Sequence, residues 1–262
     1  MKNECICVNV QNVVKTYVTG KSQITALDDI SFSVNKEEFV AIVGPSGCGK
    51  TTVLRVILGL IPKTNGAVII DGKEVVDPQP NVGMVFQSPA LLPWRRVIDN
   101  IMLPIEVLRL NVDDFVEKAH ELIKLVGLEG FESKYPWELS GGMRQRVSIC
   151  RALIHDPGLL LMDEPFGALD AFTREKMNME LLRIWRETKK TIIFVTHNIM
   201  ESAFLADRVV VMTPRPGRVA KIVKININRP RELAIQTTDE FGAYVTTIRD
   251  CIDESVKCQP LS

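Results

Sequence analysis

Gly44-Pro45-Ser46-Gly47-Cys48-Gly49-Lys50-Thr51 lies between Phe39-Val40-Ala41-Ile42-Val43 and a segment in which Val53, Leu54, Ile57 and Leu60 recur at helical spacing. The run before it is short, apolar and β-branched, as a buried strand requires. Strand, glycine-rich turn and helix in that order fit the G-x-x-x-x-G-K-[ST] phosphate loop. Glycines let the backbone wrap closely, so successive N–H groups point at phosphate oxygens, and the helix N-terminus adds a positive dipole. In that reading Lys50 holds the β- and γ-phosphates, Thr51 ligates Mg²⁺ and Thr52 touches the α-phosphate. Cys48 fills a free position of the loop, either as an ordinary thiol or as a redox-sensitive one.

Outward from this loop the chain alternates. Strand-like segments run over 8–14, 30–34, 67–70 and 83–86, the first two before the loop and the others after its helix. From 88 to 155 the character is helical. Asn111 is a candidate N-cap with Asp114 three residues on, and Val116, Ala119, Leu122, Ile123 and Val126 form one apolar stripe. A second helix opens at Ser140 and ends before Asp156-Pro157-Gly158. Strand and helix then alternate again, with Leu159–Asp163, 171–188 and 191–196. That order means an α/β core with parallel strands, interrupted by a helical insertion.

The 262 residues carry 32 Lys plus Arg and 32 Asp plus Glu. A formal net charge of zero argues against a chain that coats nucleic acid. No apolar run approaches the roughly 20 residues of a membrane span. The first five residues show neither a signal core nor a lipidation pattern, which predicts a cytosolic chain that reaches a membrane only through a partner. Cysteines at 5, 7, 48, 150, 251 and 258 lack zinc spacing and read as reduced, structural thiols. Cys5 and Cys7 are expected on one face of a strand.

Two further clusters carry chemistry. Leu159-Leu160-Leu161-Met162-Asp163-Glu164 is a buried strand ending in two acids. Beside a phosphate loop, Asp163 is placed to hold Mg²⁺ and Glu164 to orient or deprotonate the attacking water. Leu139-Ser140-Gly141-Gly142-Met143, followed by Arg144-Gln145-Arg146, opens a helix with a serine and two glycines, a second anion site in the chain. One phosphate loop binds one nucleotide, so this second site serves a nucleotide held by another copy. The inference predicts a dimer.

With these motifs in order, the sequence resembles an ATP-binding-cassette ATPase over essentially its whole length. The resemblance implies a P-loop NTPase core with a mostly parallel sheet, an antiparallel N-terminal β part and an inserted helical subdomain. It divides the chain into core (1–87 and 156–225), helical subdomain (88–155) and C-terminal extension (226–262). It also implies ATP and Mg²⁺ as cofactors. Residues 44–52 grip the phosphates, namely Gly44, Pro45, Ser46, Gly47, Cys48, Gly49, Lys50, Thr51 and Thr52. Ser140, Gly141 and Gly142 make the signature, and Asp170, in Gly167-Ala168-Leu169-Asp170, the D-loop. Gln87 matches the Q-loop, with a role in catalysis and at the metal beside Thr51 and Asp163. His197 matches the switch histidine and Tyr17 the aromatic that stacks on adenine. His120 reads as a solvated helix residue, and His155 sits where a helix C-terminus favours imidazole. Met143 stands where the family usually has glutamine, and Asn198 where many relatives have Asp.

Ser88-Pro89-Ala90-Leu91-Leu92-Pro93-Trp94-Arg95, Pro214-Arg215-Pro216-Gly217-Arg218-Val219 and Asn228-Arg229-Pro230-Arg231-Glu232 are similar to importers of nitrate, sulfonate and taurine. Only 65 residues follow His197, too few for the regulatory domain of sugar-importer ATPases. The implied partners are a second copy, integral-membrane permease subunits and, indirectly, a solute-binding protein. The implied place is the cytoplasmic face of the cell membrane. The alternatives are an exporter or lipid-transport ATPase, and a soluble cassette protein of DNA repair or translation. The proline-bound loop carrying Leu91, Leu92 and Trp94 is expected to dock the permease; the other reading has Trp94 packing the helical lobe onto the core.

Overall fold

Phe39–Val43 is buried at every residue, as a strand covered on both faces must be. This strand, β3, organises the chain in the computed structural model, which describes residues 5–20 and 22–257. The readings made of residues 1–4 and 258–262, Cys258 included, lie outside those. Backbone contacts divide the chain into two compact units. One runs up to Gln79 and resumes at Thr191; the other is Pro80–Lys190.

In the first unit, β1 (Ile6–Thr19) and β2 (Ser22–Asn35) form a long antiparallel pair. With β4 (Asn65–Ile70) and β5 (Lys73–Glu74) they give a four-stranded sheet in the order β2-β1-β4-β5. This is the antiparallel N-terminal part that the resemblance implied. Cys7 faces the core at 3% exposure, whereas Cys5 precedes β1 and is exposed, so the two do not share a face.

β3 pairs in parallel with β8 (Thr191–Val195) on one side and with β9 (Arg208–Met212) on the other. β10 (Val219–Lys224) closes antiparallel on β9. Helix α1 (Lys50–Ile57) follows β3; Leu60, read as part of its apolar face, lies beyond its end and is half exposed. The short helix α6 (Ile199–Leu205) follows β8, and α7 (Asp239–Lys257) turns Phe241, Ile248 and Cys251 inward.

The second unit holds the parallel pair β6 (Val82–Val85) and β7 (Leu159–Asp163). Its helices are α2 (Val97–Val107), α3 (Val116–Leu125), α4 (Gly141–Leu153) and α5 (Ala171–Thr188). Asn111 caps a 3₁₀ turn, Val112–Phe115, ahead of α3, and its side chain bonds Asp114 at 3.0 Å rather than a backbone N–H. The apolar stripe holds at Ala119, Leu122, Ile123 and Val126, but Val116, on the first turn of α3, is exposed. Among the described residues no helix is long and apolar enough to cross a membrane.

Candidate functional site

The phosphate loop sits on the C-terminal end of β3. Gly49 caps α1 with φ of 101°, a left-handed conformation that costs glycine little, and a Cβ there would lie 2.6 Å from Leu27 Cδ2. Lys50 is 6% exposed, and its ammonium donates to the carbonyls of Gly44 at 2.9 Å and Pro45 at 3.0 Å. The cation is thereby folded into the centre of its own loop. Ser46 and Gly47 are exposed, Thr51 and Thr52 half-buried. Cys48 is fully buried, and burial raises its thiol pKa against the opposing pull of Lys50. Burial and protonation both weaken a thiol as a redox sensor, which favours the ordinary reading of Cys48.

A residue that the motif reading passed over supports this loop from behind. Gly217 bonds both ways with β2, its N–H to the Ala26 carbonyl and its carbonyl to the Asp28 N–H, each at 2.9 Å. A Cβ on it would stand 2.1 Å from the Cys48 carbonyl oxygen, so only glycine lets this backbone pass against the loop. The sequence signal was Pro214-Arg215-Pro216-Gly217, noticed above only as a likeness.

His197 follows β8, which runs beside β3. The N–H of Thr196 donates to the Ile42 carbonyl at 3.2 Å, which brings the exposed His197 to the same strand ends that carry the phosphate loop. Tyr17, on β1, is 38% exposed, with the Lys15 ammonium 5.0 Å from its ring centroid. That cation–π contact and the bond from Lys15 to the Pro62 carbonyl at 2.7 Å steady the ring.

In the second unit, Gln87 and the Asp163-Glu164 pair leave the same ends of the parallel strands β6 and β7. Glu164 takes φ of 43°, a region that costs a non-glycine residue strain and that clusters at functional sites. A Cβ on Gly167 would stand 3.6 Å from both Gln87 Nε2 and Glu164 Oε2, so the amide and the carboxylate flank one glycine. Asp163 and Glu164 are both half-buried.

The signature residues open α4. Ser140 is its N-cap, with Oγ accepting the Met143 N–H at 3.3 Å. Ser140 and Gly141 are exposed, whereas Gly142 is buried and a Cβ there would meet Thr173 Cγ2 at 3.3 Å. Asp170 is the N-cap of α5, accepting the Thr173 N–H at 3.0 Å, and that backbone bond lowers its pKa. His155 follows α4, and burial lowers its pKa, helped by Lys118.

Around Gln87 the unit is braced by polar groups that the sequence did not single out. From α4, Gln145 Nε2 donates to the Phe86 carbonyl at 3.4 Å, and Arg151 donates to Pro89 at 2.6 Å and Ala90 at 2.8 Å. Asn100, fully buried on α2, accepts the Leu92 N–H and donates to the carbonyls of Leu92, Arg95 and Arg96. The loop is thus held from below while Trp94 stands 70% exposed.

Among the described residues no three or more His, Cys, Asp or Glu side chains cluster as a metal site. The donors read for a metal, Thr51, Gln87 and Asp163, are all oxygen-bearing and include one carboxylate. That set suits Mg²⁺, which binds through one or two carboxylates, waters and substrate phosphates rather than a protein cage.

Comparison with known proteins gives these features a common origin. The family model described as ABC transporter matches residues 27–167, more than half of the chain. The aliphatic sulfonates import ATP-binding protein SsuB of Bacillus thuringiensis subsp. konkukian is 43% identical over 91% of this chain and 94% of its own. The taurine import ATP-binding protein TauB of Escherichia coli is 47% identical over 78% of this chain and 80% of its own. The solved dimeric ATP-binding cassette MJ0796, in a post-hydrolysis state bound to ADP and Pi, superposes with a TM-score of 0.73. It is 34% identical, covering 84% of this chain and all of that one. Likeness of this extent reaches from the phosphate loop through the serine-capped helix to the acid-ended strand, and the chain belongs to the ABC transporter family.

Proposed function

We propose that this chain is the ATP-hydrolysing subunit of an importer of small nitrate-, sulfonate- or taurine-like solutes, working as a pair of identical copies. The observation that carries hydrolysis is Glu164, strained at φ of 43° and sharing Gly167 as neighbour with Gln87 in a chain that also holds a formed phosphate loop. The named functions of the similar SsuB and TauB proteins support import, and the dimeric cassette MJ0796 supports the pairing.

In this reading the loop N–H groups and Lys50 bind the phosphates of ATP, and Tyr17 stacks on adenine. Thr51, Asp163 and Gln87 are the residues that would hold Mg²⁺, whose charge would draw the phosphates into a fixed pose. Glu164 orients the attacking water and takes its proton; His197 hydrogen-bonds the γ-phosphate and senses its loss. Ser140, Gly141 and Gly142 reach the nucleotide of the second copy, with Asp170 at the same junction. Closing on two ATPs drives permease subunits bound through the 88–95 loop, and hydrolysis reopens the pair. The chain works as one cassette, with core 1–87 and 156–225, helical subdomain 88–155 and extension 226–262. It sits at the cytoplasmic face of the membrane through its permease, which a solute-binding protein serves, and it handles no nucleic acid.

The test is twofold. Purified chain should hydrolyse ATP only with a divalent cation, and chelation should stop it. Proteoliposomes holding the chain with its permease should take up labelled taurine or an alkanesulfonate, and a Glu164→Gln version should not. Transport in the opposite direction would overturn the import half, and metal-independent turnover the catalytic half.

A further inference from the structure

The segment Asn228-Arg229-Pro230-Arg231-Glu232 was legible in the sequence only as a likeness, yet its arginines are placed with purpose. Arg231 is 3% exposed, an unusual position for a guanidinium, and donates to backbone carbonyls. Its Nη1 reaches the carbonyls of Phe204 at 2.8 Å, Ala206 at 2.9 Å and, more loosely, Ala203 at 3.2 Å. Arg229 Nη2 donates to the Leu205 carbonyl at 2.6 Å and Nε to Asp207 Oδ1 at 2.9 Å. These four carbonyls are the ones that the C-terminus of α6 leaves without helical partners, since the Ala206 N–H already takes Ser202. Two arginines from one short segment therefore complete the end of one helix.

His197 lies two residues before the first residue of that helix. Asn198 is its N-cap, with Oδ1 accepting the Glu201 N–H at 3.2 Å. The buried Thr196 donates its hydroxyl to Glu201 Oε2 at 2.5 Å and accepts the Asn198 N–H at 3.0 Å. The backbone on both sides of His197 is thus tied to Glu201, in the first turn of α6. A seven-residue helix has too few internal bonds to hold itself. At about 1.5 Å per residue, its arginine-held end lies about 10 Å from its histidine end.

We propose that Arg231, assisted by Arg229, is a positioning residue for His197, acting through α6 so that the segment 226–232 sets the alignment of the switch histidine on the γ-phosphate. The proposal rests on the reading of His197 given above. Without the guanidinium, the last turn of α6 opens, Glu201 shifts and the Thr196–Asn198 loop loses its anchor. Binding of ATP, which relies on Lys50, the loop and Tyr17, is spared.

The experiment uses the full chain with Mg²⁺·ATP, measuring affinity with a fluorescent ATP analogue and hydrolysis in steady state and single turnover. Arg231→Gln should keep affinity within about twofold but lose about tenfold or more in turnover, the scale of a small misalignment. Arg231→Lys, which keeps the charge without the fork, should fall between. In a His197→Ala background, Arg231→Gln should change the single-turnover rate by less than about twofold, because both variants remove the same contribution. Undiminished turnover in Arg231→Gln, or a full further loss in the His197→Ala background, would overturn the proposal. If circular dichroism shows Arg231→Gln unfolded, Arg231→Lys and Arg229→Met go through the same cycle and decide on the same terms. A wild-type chain without hydrolysis overturns the catalytic reading, and this proposal with it.

Discussion

Replacing Asn100 by Ala tests whether the loop after Gln87 is built to stay rigid. The side chain is fully buried and accepts the Leu92 N–H at 2.7 Å while donating to Leu92 at 3.1 Å and to Arg95 and Arg96 at 3.0 Å each. An amide nitrogen has two hydrogens, so its three acceptors share two donors, and about three full bonds are lost with the side chain. At a net 0.5–1.5 kcal/mol each, the loss is about 1.5–4.5 kcal/mol. Arg96 is exposed and Leu92 and Arg95 half-buried, so their carbonyls recover some water bonds, which narrows the expectation to about 2–3 kcal/mol. Urea unfolding of the purified chain should show that loss as a lower midpoint at unchanged slope. Hydrogen exchange should quicken at Leu92. Asn100→Asp, which turns donors into a carboxylate against three carbonyls, should cost at least as much. A change under about 0.5 kcal/mol in both variants, the size of an ordinary surface substitution, would refute the brace.

Glu164→Gln should bind ATP nearly as wild type yet hydrolyse it orders of magnitude more slowly and accumulate as an ATP-bound dimer by gel filtration. Near-normal turnover removes Glu164 from the mechanism. Tyr17→Ala should weaken ATP binding by about 1–2 kcal/mol in a titration, with Tyr17→Trp close to wild type; equal affinity in all three ends the stacking reading. Leu92→Glu/Trp94→Glu should keep its circular dichroism and ATP affinity but fail to copurify with the permease, and undiminished copurification counts against docking there. Burial and the nearby Lys118 disfavour the His155 cation, against a weaker pull from Asp156, so the folded pKa lies below the unfolded value of about 6.5. The unfolded chain then binds the proton first. Stability from this residue is present above that value and lost as pH falls below it, and His155→Gln should flatten the fall in unfolding midpoint over that acidic range.

The elements legible in the sequence are those whose own residues decide them. Phe39–Val43 is apolar throughout, Leu159–Asp163 is apolar up to its final acid and Thr191–Val195 after its first residue, and Ser140 and Asp170 announce the helices they cap. What escaped was set by context. Pro104 inside α2 masks a helix that tertiary packing sustains, and α6 is too short for a periodic pattern. Val116 shares the spacing of its stripe but starts the helix, where the neighbouring layer no longer covers it. Cys5 and Cys7 differ because β1 begins between them.

Asn100, Arg151 and Arg231 were beyond sequence reasoning for a common physical reason. Each is a polar side chain spent on another segment's backbone, and nothing in its own neighbourhood of sequence says so. Gln87 and His197 both leave a strand end into backbone that cannot satisfy itself, an irregular loop in one case and a seven-residue helix in the other. Buried N–H and C=O groups there need partners from elsewhere. In one unit α4 and α2 supply them, through Arg151 on Pro89 and Ala90 and through Asn100 on Leu92. In the other, 229–231 supplies them through Arg231 on Phe204 and Ala206. Under the proposed function both Gln87 and His197 register one phosphate, and a group with that task cannot wander by an ångström without losing its bond. Support by side chains, rather than by more helix, would then leave the segments short enough to shift as units when the phosphate leaves.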